Sequence, residues 1–353
     1  MADLDNSVVY FNTRVAGMRG QLFPASEVLA MLDQGDLTQM TDQLLESEYR
    51  QEMAEALARY TAADAIEDAV SRNLGATFQV LQSRAQGDYR ELVRFFLARW
   101  DLTAAKSLLR LRHHGLTADG STLPLVVGPT LSQAALHEMA GLESMEALVA
   151  ALVSWNPSLG APLRRALPAY RESNDLAQLE EALDRAYYVA GLKRFQGSTD
   201  PNVVTLREQL ASEIDRINLR LVFQSIGSKS GGGELESRLL PGGWLGRSVL
   251  VAMLNTGDVS GAVGLLGSTR YSSLVDELFQ VLQTGRFSPI ERMLDRLLMR
   301  QMRRFARRDG FGIGVLMDYV WQKYNECINL RLVARGLAGN LPVGRVRDEL
   351  HFA

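Results

Sequence analysis

One pentapeptide occurs twice in this chain: Asn218-Leu219-Arg220-Leu221-Val222 returns as Asn329-Leu330-Arg331-Leu332-Val333, 111 positions later. The same offset carries Glu180, Leu183, Asp184 and Arg185 onto Glu291, Leu294, Asp295 and Arg296. Two echoes in register, with apolar periodicity between them, mark a duplicated helical unit. A fainter copy lies earlier, at Asn12-Thr13-Arg14-Val15, and Trp100-Asp101-Leu102 falls where Ile217-Asn218-Leu219 would. The chain reads as one large helical module used about three times.

A second series follows the same rhythm. Val28-Leu29, Ala135-Leu136 and Val249-Leu250 each open a short apolar helix that runs to a polar turn, at Gly35-Asp36, Gly141-Leu142-Glu143 and Gly257-Asp258. Each following segment ends in an aromatic residue: Tyr49, Trp155 and Tyr271. The pattern per module is a long helix, a helical hairpin closed by an aromatic, and another long helix. The expected fold is all-α, with module 1 over 1–97, module 2 over 98–214, and module 3 with closing helices over 215–353. The long helices are shared across these boundaries.

Composition supports helix. Of the 353 residues 46% are apolar, proline is scarce, and Leu, Ala, Arg and Glu abound. Alternating Val/Ile/Thr runs of strand length are nearly absent. Helix starts are legible at Asp200-Pro201 and at Ser288-Pro289-Ile290-Glu291, the latter a capping box. After Asp200-Pro201, Val204, Leu206, Leu210, Ile214, Ile217 and Leu221 keep helical spacing for about six turns. Gly227 to Gly243, with Gly231-Gly232-Gly233 inside it, reads as a surface loop, and Asp119-Gly120-Ser121 as a shorter one. Gly227-Ser228-Lys229-Ser230 lacks both the spacing and the preceding strand of a phosphate-binding loop.

The net charge of −3 argues against a nucleic-acid polyanion binder. No apolar stretch approaches the ~18–20 residues that span a bilayer. Met1-Ala2-Asp3-Leu4-Asp5 is acidic and lacks the form of a signal peptide. The single cysteine, Cys327, excludes an intramolecular disulfide and reads as a packed thiol in a cytosolic protein. None of His113, His114, His137 and His351 has a partner at metal-ligand spacing. Glu180-Glu181 point to different helix faces, and no serine sits in a Gly-x-Ser-x-Gly elbow. No catalytic, cofactor or metal site is expected.

The strongest charge feature is Arg292, Arg296, Arg300, Arg303, Arg304, Arg307 and Arg308, most of them along one helix face, with Asp295 the single compensating carboxylate. Leu294, Leu297, Leu298 and Met302 supply the opposite surface. Self-repulsion along such a face favours an acidic partner surface over bare solvent.

Three segments carry a family resemblance: Asn12-Thr13-Arg14-Val15-Ala16-Gly17-Met18, Leu44-Leu45-Glu46-Ser47-Glu48-Tyr49, and Glu326-Cys327-Ile328-Asn329-Leu330-Arg331-Leu332-Val333-Ala334-Arg335-Gly336. In order and over nearly the whole chain, the sequence resembles the C subunit of prokaryotic V/A-type ATP synthases, the counterpart of the d subunit of the eukaryotic vacuolar proton pump. The middle module departs, with Asp101-Leu102-Thr103 in place of Asn-Leu-Arg. The resemblance implies three pseudo-threefold-related helical bundles forming a funnel-shaped body. It also implies a non-catalytic socket on the cytoplasmic face of the membrane, between the D–F central shaft and the proteolipid ring, with no nucleic acid and no small-molecule substrate. Asn12, Arg14, Asn218, Arg220, Asn329 and Arg331 form the repeat motif, and its arginines Arg14, Arg220 and Arg331 are expected to occupy equivalent positions, their guanidinium groups joined to helix ends or carboxylates between modules. The alternative is a helical-repeat scaffold unconnected with rotary machines, although such repeats have periods of ~33–47 residues.

Overall fold

The computed structural model describes residues 6–116, 128–228, 232–282 and 288–352. It is helical throughout, with no strand among the described residues. The chain opens with α1 (Asn6–Arg19), α2 (Ala25–Gln34), α3 (Leu37–Leu45) and α4 (Arg50–Leu57), followed by the long α5 (Ala62–Arg84) and α6 (Gly87–His113). Next come α7 (Gln133–Ala140), α8 (Met145–Trp155), α9 (Pro157–Ser173) and α10 (Ala177–Asp184). A π-helical turn, Arg185–Val189, leads into α11 (Ala190–Arg194) and the long α12 (Pro201–Ser228). Then follow α13 (Gly232–Arg238), α14 (Arg247–Leu254), α15 (Val259–Leu265), α16 (Val275–Leu282), α17 (Ser288–Arg308), α18 (Ile313–Ala338) and α19 (Val343–Glu349).

The three expected hairpins are α2–α3, α7–α8 and α14–α15, and their second helices begin in the same way. Asp36, Ser144 and Asp258 are the N-caps, their side chains accepting from the amides of Thr38, Ala147 and Gly261. Each satisfies a donor that the first helical turn leaves open. Asp200 caps α12 as expected, its carboxylate accepting from the amides of Asn202 (2.7 Å) and Val203 (3.1 Å). The glycine-rich stretch before Gly243 is not wholly irregular, because Gly232–Arg238 forms α13. Glycine disfavours helix by about 1 kcal/mol per residue, but Glu234-Leu235-Glu236 resume a helical pattern and Leu235 is buried. Asp119-Gly120-Ser121, the acidic Met1–Asp5 and Lys229–Gly231 lie outside the described residues.

The chain divides into two compact units, Met1–Asp184 with Arg303–Ala353, and Arg185–Met302. In the first, α18 is the central helix, packed against α1, α2, α3, α5 and α19. Its burial on all sides is the mark of a helix inside a core. Asp318, Lys323, Asn325, Glu326 and Asn329 are nonetheless buried along it. Such groups are tolerated inside only when partnered, and Asp318 meets Arg19 at 3.1 Å. Around α18 the rings of Phe78, Phe96, Trp100, Trp321 and Tyr324 make edge or tilted contacts with centroids 5.2–6.1 Å apart. The Arg99 guanidinium lies 4.3 Å from the centre of the Trp321 ring. In the second unit the core gathers Leu219, Val222 and Phe223 of α12 with Leu250, Met253, Val263, Leu266, Leu278 and Met293. No helix among the described residues is long and apolar enough to cross a membrane.

Candidate functional site

Two of the three asparagines singled out by the repeat make the same bond. The Asn218 side chain donates to the carbonyl of Leu240 (2.9 Å) and accepts from the same residue's amide (2.8 Å). Asn329 does the same with His351, at 3.0 and 2.7 Å. Both partners lie 22 positions downstream. A side-chain amide, with one donor face and one acceptor face, suits a single backbone residue held in this way. Asn12 acts differently, donating to the carbonyls of Phe311 (2.5 Å) and Gly312 (3.2 Å) and accepting the Tyr89 hydroxyl at 3.3 Å.

The arginines of the motif are placed unequally. Arg220 meets Glu291 at 2.8 Å and Arg331 meets Glu67 at 3.8 Å. Arg335 also closes on Glu67 through two nitrogens. Arg14 is exposed. Helix α6 supplies a cation through Lys106, 2.5 Å from Asp184. The echo of Asp184 at Asp295 reappears as an ion pair with Arg216, at 2.9 Å.

A second repeated device was not singled out in the sequence. On α6, α12 and α18 a buried carboxylate reaches into the segment that leads to a hairpin. Asp101 accepts from the amides of Thr130 (3.0 Å) and Leu131 (3.2 Å), and from the Thr130 hydroxyl (2.9 Å). Asp215 accepts from the amides of Trp244 (3.0 Å) and Leu245 (3.0 Å), and from the Tyr271 hydroxyl (2.6 Å). Glu326 accepts from the amide of Phe23 (2.5 Å) and the Tyr49 hydroxyl (2.5 Å). Tyr49 and Tyr271 are the aromatics that close their hairpins, so at these two hairpins one carboxylate joins the start and the end. Where the shorter aspartate is used, the lead-in comes so near that only glycine fits. A Cβ on Gly128 would lie 2.0 Å from the Asp101 carboxylate oxygen, and one on Gly243 would lie 2.1 Å from that of Asp215.

These bonds correct the middle register. The sequence set Asp101 opposite Asn218, but by its partners Asp101 matches Asp215, three positions away. In this register Lys106, Arg220 and Arg331 each stand five positions after the clasping carboxylate. That acid-then-base spacing on three long helices was the available signal. The signal is faint because the acids differ in type and neighbours.

The surroundings of the clasps set their ionisation. Burial pushes the Asp101 carboxyl up to about 6, against the amide and hydroxyl bonds that lower it. Burial likewise raises Asp215, opposed first by the Tyr271 hydroxyl and then by the two amides. Beside Glu326, the Lys323 ammonium lies 3.1 Å from the carboxylate and 2.8 Å from the Tyr49 oxygen. The Cys327 thiol is buried 3.7 Å from the same hydroxyl, and burial pushes it up to about 11. It is a packed group, not a nucleophile. A cavity of about 80 Å³, lined in part by Asn73, Thr77, Tyr319 and Lys323, adjoins this cluster. It is far smaller than the ~300 Å³ at which ligand pockets begin. Among the described residues no group of three or more His, Cys, Asp or Glu is arranged to hold a metal ion.

The arginine helix is α17. Met293, Leu294, Leu298 and Met302 are buried along it, while Arg300, Arg304, Arg307 and Arg308 are exposed. Arg292, Arg296 and Arg303 are half-buried. Arg296 pairs with Glu277 at 3.0 Å, and the Arg308 guanidinium lies 5.2 Å from the Phe305 ring centre.

The chain is 28% identical over 322 residues to the C subunit of the A-type ATP synthase of Methanothermobacter thermautotrophicus, covering 89% of this chain and 83% of the relative. It is 29% identical over 342 residues to the C subunit of the V-type ATP synthase of Deinococcus radiodurans, covering 97% and 90%. The family model described as ATP synthase (C/AC39) subunit matches residues 11–349. This all-helical chain, held by buried carboxylates and paired asparagines, belongs to the ATP synthase (C/AC39) subunit family.

Proposed function

We propose that this chain is the rotor socket of a V/A-type rotary ATPase. It seats the D–F central shaft on the membrane proteolipid ring, on the cytoplasmic face, and transmits torque without catalysing a reaction itself. The observation that carries the reading is the family match across residues 11–349, with relatives named as the C subunits of A-type and V-type ATP synthases. Physical support comes from stiffness. An adapter under torsion must resist bending, and long helices packed at crystal-like density do so. The buried carboxylates pin the short hairpins to those long helices at three places, which limits shear between them.

The reading includes the modular plan, three related bundles over 1–97, 98–214 and 215–353 about a pseudo-threefold axis. The α17 arginines Arg292, Arg296, Arg300, Arg303, Arg304, Arg307 and Arg308 are assigned to a partner contact, and the acidic partner is placed on the ring. Charged contacts suit a joint between bodies of different symmetry, because their energy falls gradually with distance.

The test is co-purification. Affinity-tagged chain drawn from detergent-solubilised membranes is expected to bring down both proteolipid and shaft subunits. Recovery without either would overturn the proposal, and recovery with shaft alone would place the arginine contact elsewhere.

A further inference from the structure

The three clasps are built alike but are not equally closed. At Asp215 the two lead-in amides are joined by the buried Tyr271 hydroxyl at 2.6 Å. The lead-in is tied again by the Trp244 indole, which donates to Ser212 at 3.1 Å and carries the Arg270 guanidinium 4.1 Å from its ring centre. At Glu326 the Tyr49 hydroxyl and the Phe23 amide are both at 2.5 Å, with Lys323 alongside and the Phe23 ring stacked on that of Tyr49 at 6.3 Å. Asp101 has no tyrosine. Its third donor is the hydroxyl of Thr130, an exposed residue of the lead-in itself. The residue at the closing position of this hairpin is Trp155, which bears no hydroxyl and is not among the partners of Asp101. The Asp101 clasp therefore holds the start of its hairpin but not the end. Other side-chain ties of this hairpin run from Gln133 to Asp68 at 2.8 Å, from Arg112 to the carbonyl of Leu142 at 2.7 Å, and from Arg171 of α9 to Glu146 at 2.7 Å, and none of them engages Asp101.

We infer that the α7–α8 hairpin is the built-in yielding element of this protein, opening from α6 at the Asp101 clasp ahead of the hairpins held by Asp215 and Glu326. A buried tyrosine donating to a carboxylate is worth more than a solvent-exposed threonine that can exchange its bond with water. Local opening in proteins follows such differences, because each cooperative unit opens with its own free energy. The inference rests on the bonding of the clasps and stands whether or not the chain acts in a rotor.

The experiment is hydrogen–deuterium exchange on the intact chain, read with overlapping peptides at the clasped amides. Thr130 and Leu131 are expected to exchange about tenfold or more faster than Trp244, Leu245 and Phe23. Tyr271→Phe should bring Trp244 and Leu245 toward the rate of Thr130 and Leu131, while leaving those two unchanged. Equal or slower exchange at Thr130 and Leu131 in the native chain would overturn the inference. So would a Tyr271→Phe chain with Trp244 and Leu245 as protected as before. Should that variant fail to fold, the native comparison decides alone.

Discussion

The hydroxyl of Tyr49 lies 2.5 Å from the carboxylate of Glu326, joining residues 277 positions apart inside the core. The Lys323 ammonium is placed 4.0 Å from the centre of the same tyrosine ring and 3.1 Å from the carboxylate, so ammonium and carboxylate compensate each other inside the core while burial keeps the phenol protonated. Removing the hydroxyl with Tyr49→Phe is expected to cost about 2 kcal/mol, the scale of a buried bond to a charged acceptor. Glu326→Ala should cost more, because it strands the ammonium as well as the Phe23 amide. Urea unfolding of the two variants checks both the size and the order.

Asn218 and Asn329 should respond as a matched pair. Alanine at either position removes both bonds to the backbone of Leu240 or His351, for an expected loss of roughly 2–3 kcal/mol each. Aspartate should be worse at neutral pH, since a carboxylate would then face the carbonyl of Leu240 or His351. Melting curves in which one site is costly and the other silent would separate the two roles.

Asp101 gives the stability a pH dependence of known sign. Its carboxyl titrates at about 6 in the fold, against about 3.9 in an unfolded chain. Between those values the folded state holds the proton more tightly, so its stabilising share is full below about pH 4 and is lost as pH rises through about 6. The expected loss is about 3 kcal/mol. Asp101→Asn removes this slope while keeping an acceptor for the amides. The difference in unfolding free energy between variant and native chain should shift toward the variant between pH 4 and 6, and level off above.

Gly243→Ala tests the close approach at the Asp215 clasp. The added methyl would sit within bonding range of the carboxylate oxygen, so the lead-in must move and both amide bonds lengthen. A loss of about 2–4 kcal/mol is expected, whereas Gly264→Ala, inside helix α15 with nothing within 4 Å of the added Cβ, should stabilise by about 0.5–1 kcal/mol. Calorimetry on the two variants reads the contrast.

Charge reversal at Arg300, Arg303 and Arg307 is expected to weaken assembly with the ring while the isolated chain stays folded, and high salt should have the same effect. Circular dichroism checks the fold, and co-purification at graded salt checks the contact. Unchanged binding with unchanged salt dependence would make these arginines a solvated face.

What was legible in the sequence was whatever the chain repeats in identical letters. The two copies of Asn-Leu-Arg-Leu-Val pointed to Asn218 and Asn329, and the hairpin rhythm pointed to the closing tyrosines. The clasping acids were hidden because aspartate and glutamate reach one geometry from different backbones, the longer side chain making up the distance that glycine otherwise removes. Asp101 was set against Asn218 because both precede a leucine, a likeness of letters that the bonds do not share. Helix α13 was obscured by three glycines, since local propensity says nothing of the burial of Leu235 or of the carbonyls of Ser237 and Leu239 that Arg185 engages. The π-helical turn Arg185–Val189 gave no sign at all, because a register slip of one residue leaves the composition of a helix unchanged.

The central position of α18 also has a consequence in time. A ribosome adding about 5–20 residues each second needs tens of seconds to travel from Tyr49 to Glu326. During that interval α1, α2 and α3, joined soon after by α5, lack the helix they pack against, whereas Arg185–Met302 is a continuous stretch whose parts are all available earlier. The earlier helices must therefore wait, with Met31, Leu32 and Phe78 unsheltered, until α18 has been made. A chain cut short before Ile313 would lose more than its tail, because its first helices would never be closed.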